Sequence, residues 1–144
     1  MMELEKQTKE QKSNPLVFQA FLGIVIWMSF GLLLEGFIGF RVPSYMSFPV
    51  RRELLQLAHT HGTLFSLILL AVAVSAKCEL ILPSKLAVLV LRIGSVLMPF
   101  GFLFGGIWLI KDEPNPTIFL APLGGLLMIF GIVSILFTIN RKIN

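Results

Sequence analysis

Four long apolar runs, at residues 16–40, 54–76, 86–110 and 118–139, alternate with short polar or proline-bearing stretches. A helix rises 1.5 Å per residue, so about 20 apolar residues cross the ~30 Å hydrocarbon core of a bilayer. Each run reaches that length and predicts a membrane-spanning helix. The connectors "RVPSYMSFPVRRE", "KCELILPSK" and "KDEPNPT" carry the prolines and charges expected where one helix stops and another starts. Short connectors make successive spans antiparallel. The predicted fold is therefore all-α, an integral membrane four-helix up-down bundle. Pro99 predicts a kink in the third span. Gly101 and Gly105 on that span, with Gly124, Gly125 and Gly131 on the fourth, favour close helix approach within a chain or between copies.

Residues 1–15, "MMELEKQTKEQKSNP", alternate in charge and lack aromatics, which reads as a polar tail ahead of a four-span domain at 16–140. The run that follows is too long for a signal-peptide core and lacks a small-residue cleavage pattern, so it is expected to stay as an anchor. Composition agrees, with 56% hydrophobic and 14% charged residues, where soluble domains carry ~25% charged. The net charge of +4 does not point to nucleic acid, because the basic residues sit at the ends of apolar runs, where they anchor helices and set topology. Lys6, Lys9, Lys12, Lys77, Lys85, Arg141 and Lys142 fall on one side, against Arg41, Arg51, Arg52 and Lys111 on the other. That asymmetry places both termini in the cytoplasm and Trp108 at the outer interface.

The lone cysteine, Cys78, excludes an intramolecular disulfide and any cysteine-built metal cluster. No phosphate loop, nucleophile elbow or zinc signature is present. Methionines 28, 98 and 128 share no copper-binding spacing and read as packing residues. Four spans without an internal repeat are few for a secondary transporter.

Candidate chemistry concentrates in "RRELLQLAHTHGTLFSLILL", which holds both histidines of the chain, His59 and His61. On a helix, Gln56, His59, Thr60 and Thr63 share one face, a polar stripe expected to turn toward protein or water. His61 lies about 200° around the helix from His59, so the two imidazoles point apart. One ion cannot bridge them within a regular helix, and the helical two-histidine zinc motif uses a different spacing. Gly62 permits a local distortion. The alternative is two separate roles, one imidazole toward the bundle and the other toward a second copy or a cofactor, for which a single histidine is a sufficient axial haem ligand. Glu35 lies roughly 9 Å below the outer end of its span, and the histidines roughly 10–14 Å below theirs. At similar depth, Glu35 can fix an imidazole tautomer. Alternatively it pairs with Arg41. Arg92, about 10 Å inside the third span, either snorkels to the interface or receives an internal carboxylate.

The second span, "LAHTHGTLFSLILLAVA" after an arginine-bearing amphiphilic start, resembles that of styrene oxide isomerase and the related hydroxylaminobenzene mutases, small four-span bacterial membrane proteins. In that group an Ala-His pair opens the second span, matched here by Ala58 and His59. For the isomerase the resemblance implies a homo-oligomer binding haem b between subunits, with the helix-two histidine on the iron and the ferric haem acting as Lewis acid on an epoxide. It also implies a bacterial inner-membrane location. The chain departs from the pattern at Phe65, where the isomerase has an asparagine, and in having its only tyrosine, Tyr45, in a connector instead of the third span. The expectation is haem at His59, with His61 available as a second ligand, and redox or isomerase-type chemistry on a small apolar molecule. Two alternatives stand beside it. One is copper or zinc held by His59, His61 and Glu35; the other is a non-catalytic scaffold or accessory subunit.

Overall fold

The computed structural model describes residues 15–109 and 113–143, and the polar tail up to residue 14 lies outside them. The elements are α1 (Pro15–Gly39), a short α2 (Pro43–Met46), α3 (Pro49–Lys77), α4 (Lys85–Ile107), a 3₁₀ turn (Pro116–Phe119) and α5 (Leu120–Ile143). Among the described residues there is no strand. The four long helices are the four predicted spans, and each is long and apolar enough to cross a membrane.

The boundaries follow local chemistry. Proline opens α1, α2, α3 and the 3₁₀ turn, where its fixed φ suits a first turn and its missing N–H is not needed. Ser84 caps α4 by accepting a bond from the Ala87 N–H at 3.1 Å. α1 ends as Arg41 adopts a left-handed φ of 51° and its N–H bonds the Ile38 carbonyl. The second span begins at Pro49 instead of 54 because helix formation needs only a starter and backbone bonds, not continuous apolarity. At 29 residues it is about 44 Å long, more than the ~30 Å hydrocarbon layer. Its first turns, with Arg51, Arg52 and Glu53, therefore overhang the apolar region. α4 stops at Ile107, short of the predicted 110.

Packing follows chain order, α1 on α3, α3 on α4 and α4 on α5. α1 also touches α4 through Gln19 and Trp27, so these three helices form a triangle with α5 applied to α4. Lipid tails are as apolar as leucine, so close packing drives this association. A Cβ at Gly101 would stand 2.6 Å from the Ala121 nitrogen, and one at Gly94 2.7 Å from the Gly124 oxygen. The glycines predicted to bring helices together thus do so inside one chain, between α4 and α5. Pro99 is buried within α4 and removes the donor that the Ser95 carbonyl would receive.

One buried cluster, around Ala20, Leu69, Leu91 and Met128, fills the half nearer the termini. A second, Leu34, Tyr45 and Leu55, closes the connector end. The outer surface is apolar almost throughout, with Phe18, Val25, Leu32, Leu126 and Phe137 all exposed. Soluble monomers do not display such continuous apolar surface; a bilayer covers it, and the chain is an integral membrane protein.

Candidate functional site: the His59 groove

α1 and α3 interlock by size. Along α1, Gly23, Trp27 and Gly31 meet Ser66, Gly62 and His59 of the antiparallel α3, each glycine facing a side chain from the opposite helix. The Trp27 indole lies over Gly62, which seats a ring and leaves α3 unbroken. The His59 imidazole lies over Gly31.

This seating fixes the tautomer of His59. Its Nδ1 is 2.7 Å from the Trp27 carbonyl oxygen. A carbonyl only accepts, so Nδ1 carries the proton and donates, and in the neutral ring Nε2 holds the lone pair. Glu35 was one candidate to orient the ring; a backbone carbonyl across the bundle does so. The reason is the missing side chain at Gly31, which lets the imidazole approach the α1 backbone.

His59 and Glu35 line one lateral groove of about 500 Å³, together with Met28, Ser29, Gly31 and Leu32. The Glu35 carboxylate is exposed and makes no ion pair or hydrogen bond among the described residues, with Arg41 or any other group. His61 lies on the opposite flank of α3. Its Nδ1 donates to its own Leu57 carbonyl at 2.9 Å, and its ring packs on Phe102 and Phe65. Within one chain His59 and Glu35 share a groove and His61 does not join them. No set of three His, Cys, Asp or Glu side chains able to hold a metal ion occurs among the described residues.

The polar stripe faces differently from expectation. Gln56 and Thr60 are exposed and His59 is half-buried, so the stripe runs along the outside of the α1–α3 seam. The Thr63 hydroxyl is buried without a hydrogen-bond partner among the described residues. Close approach needs small residues, so the Ala58, Gly62 and Ser66 face turned inward and carried the stripe out with it.

Among the described residues Arg92 neither pairs with Glu35 nor receives a carboxylate. Its Nε donates to Gln19 Oε1 at 2.7 Å, while Gln19 Nε2 donates back to the Arg92 carbonyl at 3.0 Å.

Two polar residues that build the connector end carry no chemical motif. Asn115 is buried; its amide donates to the Phe104 and Trp108 carbonyls at the end of α4, and its oxygen accepts from Thr117 N–H and hydroxyl. The legible signal was "NPT", an asparagine set to turn the chain ahead of proline. Arg51 ties α2 to the end of α4, donating to the Ser44 carbonyl at 2.8 Å and the Gly106 carbonyl at 3.3 Å. Tyr45 is buried at the same end with its hydroxyl unpartnered among the described residues, and burial raises its pKa above 10.0 against an opposing pull from Arg52. Comparison with protein-family models, with curated proteins and with solved structures gave no match.

Proposed function

We propose that the chain binds haem b in the lateral groove through His59 and serves redox or isomerase-type chemistry on a small apolar molecule. The observation that carries this reading is the fixed His59 tautomer at the wall of an open groove. Nδ1 is committed to a carbonyl, as it is in histidines that ligate metals, and Nε2 is left as the donor atom. The groove volume falls within the 300–1,000 Å³ of cofactor sites. Bound haem would supply either a Lewis-acidic iron or an electron carrier.

The chain's own residues do the rest. Trp27 and Gly31 hold the imidazole, and Met28 and Leu32 exclude water from its flank. The groove is open laterally, and lipid offers no partner for Glu35, Gln56 or Thr60. A second copy of the chain supplies the missing wall, making the functional unit a homo-oligomer in a bacterial inner membrane, with both termini cytoplasmic. Purified untagged protein in mild detergent should show a Soret band that His59→Ala removes. Protein that stays colourless after haem addition overturns the proposal.

The shared groove of His59 and Glu35 favours a second reading, in which these two donors hold copper or zinc and a second copy completes the set. An imidazole and a carboxylate suit zinc. Stoichiometric metal in untagged, haem-free protein would select that reading, and absence of both groups would leave the groove as the docking face of a non-catalytic accessory subunit.

A further inference from the structure

Arg92 carries a guanidinium on the third span, and the described residues give it one side-chain partner. The helix that carries it begins at Lys85, seven residues earlier, so the Arg92 backbone lies roughly 10 Å below that end. Gln19 grips it from α1, accepting from Nε and donating to the Arg92 carbonyl and to Ser95 Oγ at 3.2 Å. Ser95 in turn donates to the same carbonyl at 2.9 Å. A guanidinium has five N–H donors, and the four on Nη1 and Nη2 have no partner among the described residues. The guanidinium is thus oriented at membrane depth with no carboxylate on it among the described residues.

A groove begins at this guanidinium. One cavity, of about 410 Å³, is lined by Gln19, Arg92 and apolar α4 residues. It shares Gln19 and Val96 with a second, of about 170 Å³, which runs between α1 and α4 over α3 past Leu22, Ile26, Trp27 and Phe100. Gln19, Arg92 and Ser95 form the polar end of the pair; Ser66 also lines it but gives its hydroxyl to the Gly62 carbonyl, and the remainder is apolar. At the mouth, Leu89 and Ile93 are exposed toward lipid.

We propose that this groove is a binding site for an anionic phospholipid, with the phosphate on the Nη groups of Arg92 and one acyl chain along the α1–α4 groove toward Trp27. Three features select that occupant. Its head carries the anion that the described residues do not place on Arg92. Long arginine side chains reach toward the headgroup level from this depth, and Lys77 and Lys85 are exposed at the same end. A mouth of leucine and isoleucine admits a lipid tail from the bilayer and disfavours a hydrophilic anion arriving from water. This site lies on α4 and the far side of α1 from the His59 groove, so it stands independently of any cofactor there.

Trp27 reports on it directly. The chain has two tryptophans, and Trp108→Phe leaves Trp27 alone. In phosphatidylcholine bilayers doped with a small fraction of acyl-brominated phosphatidylglycerol, Trp27 should be quenched several-fold more than with the same fraction of brominated phosphatidylcholine. Unbrominated phosphatidylglycerol should reverse the quenching. Arg92→Gln should abolish the preference, and Arg92→Lys, which keeps the charge but loses the bond geometry to Gln19, should retain part of it. Equal quenching by the two lipids, or an Arg92→Gln variant with undiminished preference, overturns the proposal. So does a brominated fatty acid that quenches where the phospholipid does not. If Arg92→Gln fails to fold, the reversal by unbrominated lipid on the arginine-bearing protein decides alone.

Discussion

Gly31 is where the smallest change separates site from scaffold. In Gly31→Ala the new methyl would lie 2.5 Å from His59 Nδ1 and 2.7 Å from Nε2, well inside contact distance, so one of the groups must move. The ring is the end of a side chain with free rotamers, and the helix backbone is not, so the imidazole swings away and its bond to the Trp27 carbonyl breaks. Losing that bond costs about 1 kcal/mol, and crowding the seam costs about 1–3 kcal/mol. Alanine restores about 1 kcal/mol of helix propensity. The net is a loss of roughly 1–3 kcal/mol, measurable by thermal unfolding in detergent. If His59 holds haem as proposed, the effect on the site should be larger, because losing the group that orients a metal-ligating histidine weakens affinity by about 10–100-fold; haem titration followed at the Soret band reads it. Gly36→Ala is the control. It lies on the same helix with nothing within 4 Å of the added Cβ, so it should gain roughly 0.5–1 kcal/mol and leave haem titration unchanged. Two variants with the same stability and the same spectrum would refute the seating of His59 on Gly31.

Tyr45→Phe removes a buried hydroxyl that has no partner, and should stabilise the connector end by about 1 kcal/mol. Because burial holds the phenol pKa above 10.0, the fold favours the protonated form. Its contribution is fully present below pH 10 and is lost as pH rises past it. Unfolding scans should show that alkaline loss in the parent and a smaller one in Tyr45→Phe; an unchanged alkaline limb would contradict the assignment. Asn115→Ala should cost about 1–2 kcal/mol by uncapping α4 and the following turn, with faster hydrogen exchange confined to residues near Phe104 and Thr117. Uniform exchange changes across the bundle would show that Asn115 does more than hold that end.

The spans were legible because a bilayer imposes a length and a polarity on any helix that crosses it, and both are written into one dimension. The start of α3 was less so. Arg51, Arg52 and Glu53 interrupt the apolar run, yet Pro49 opens the helix ahead of them and Arg51 is fixed by carbonyls of α2 and of the end of α4. Those partners are 7 and 55 residues away in sequence, beyond the reach of any local pattern. Asn115 shows the intermediate case, a turn signal readable locally whose carbonyl partners are tertiary.

The sequence alone determined that four helices cross a membrane, that His59 and His61 leave α3 on different sides, and that Glu35 can stand near His59 in depth. Helical periodicity and rise per residue suffice for each. Only the tertiary structure decided which side of α3 faces inward. That choice depended on the shapes of Trp27, Gly31, Gly62 and Ser66 meeting across two helices, and small residues won the interior over the polar stripe. The same contact gave His59 a backbone carbonyl as its partner in place of Glu35, and left the carboxylate exposed. Arg92 met Gln19 for a similar reason: which face of α1 opposes α4 is a property of the packed pair, and neither helix specifies it by itself.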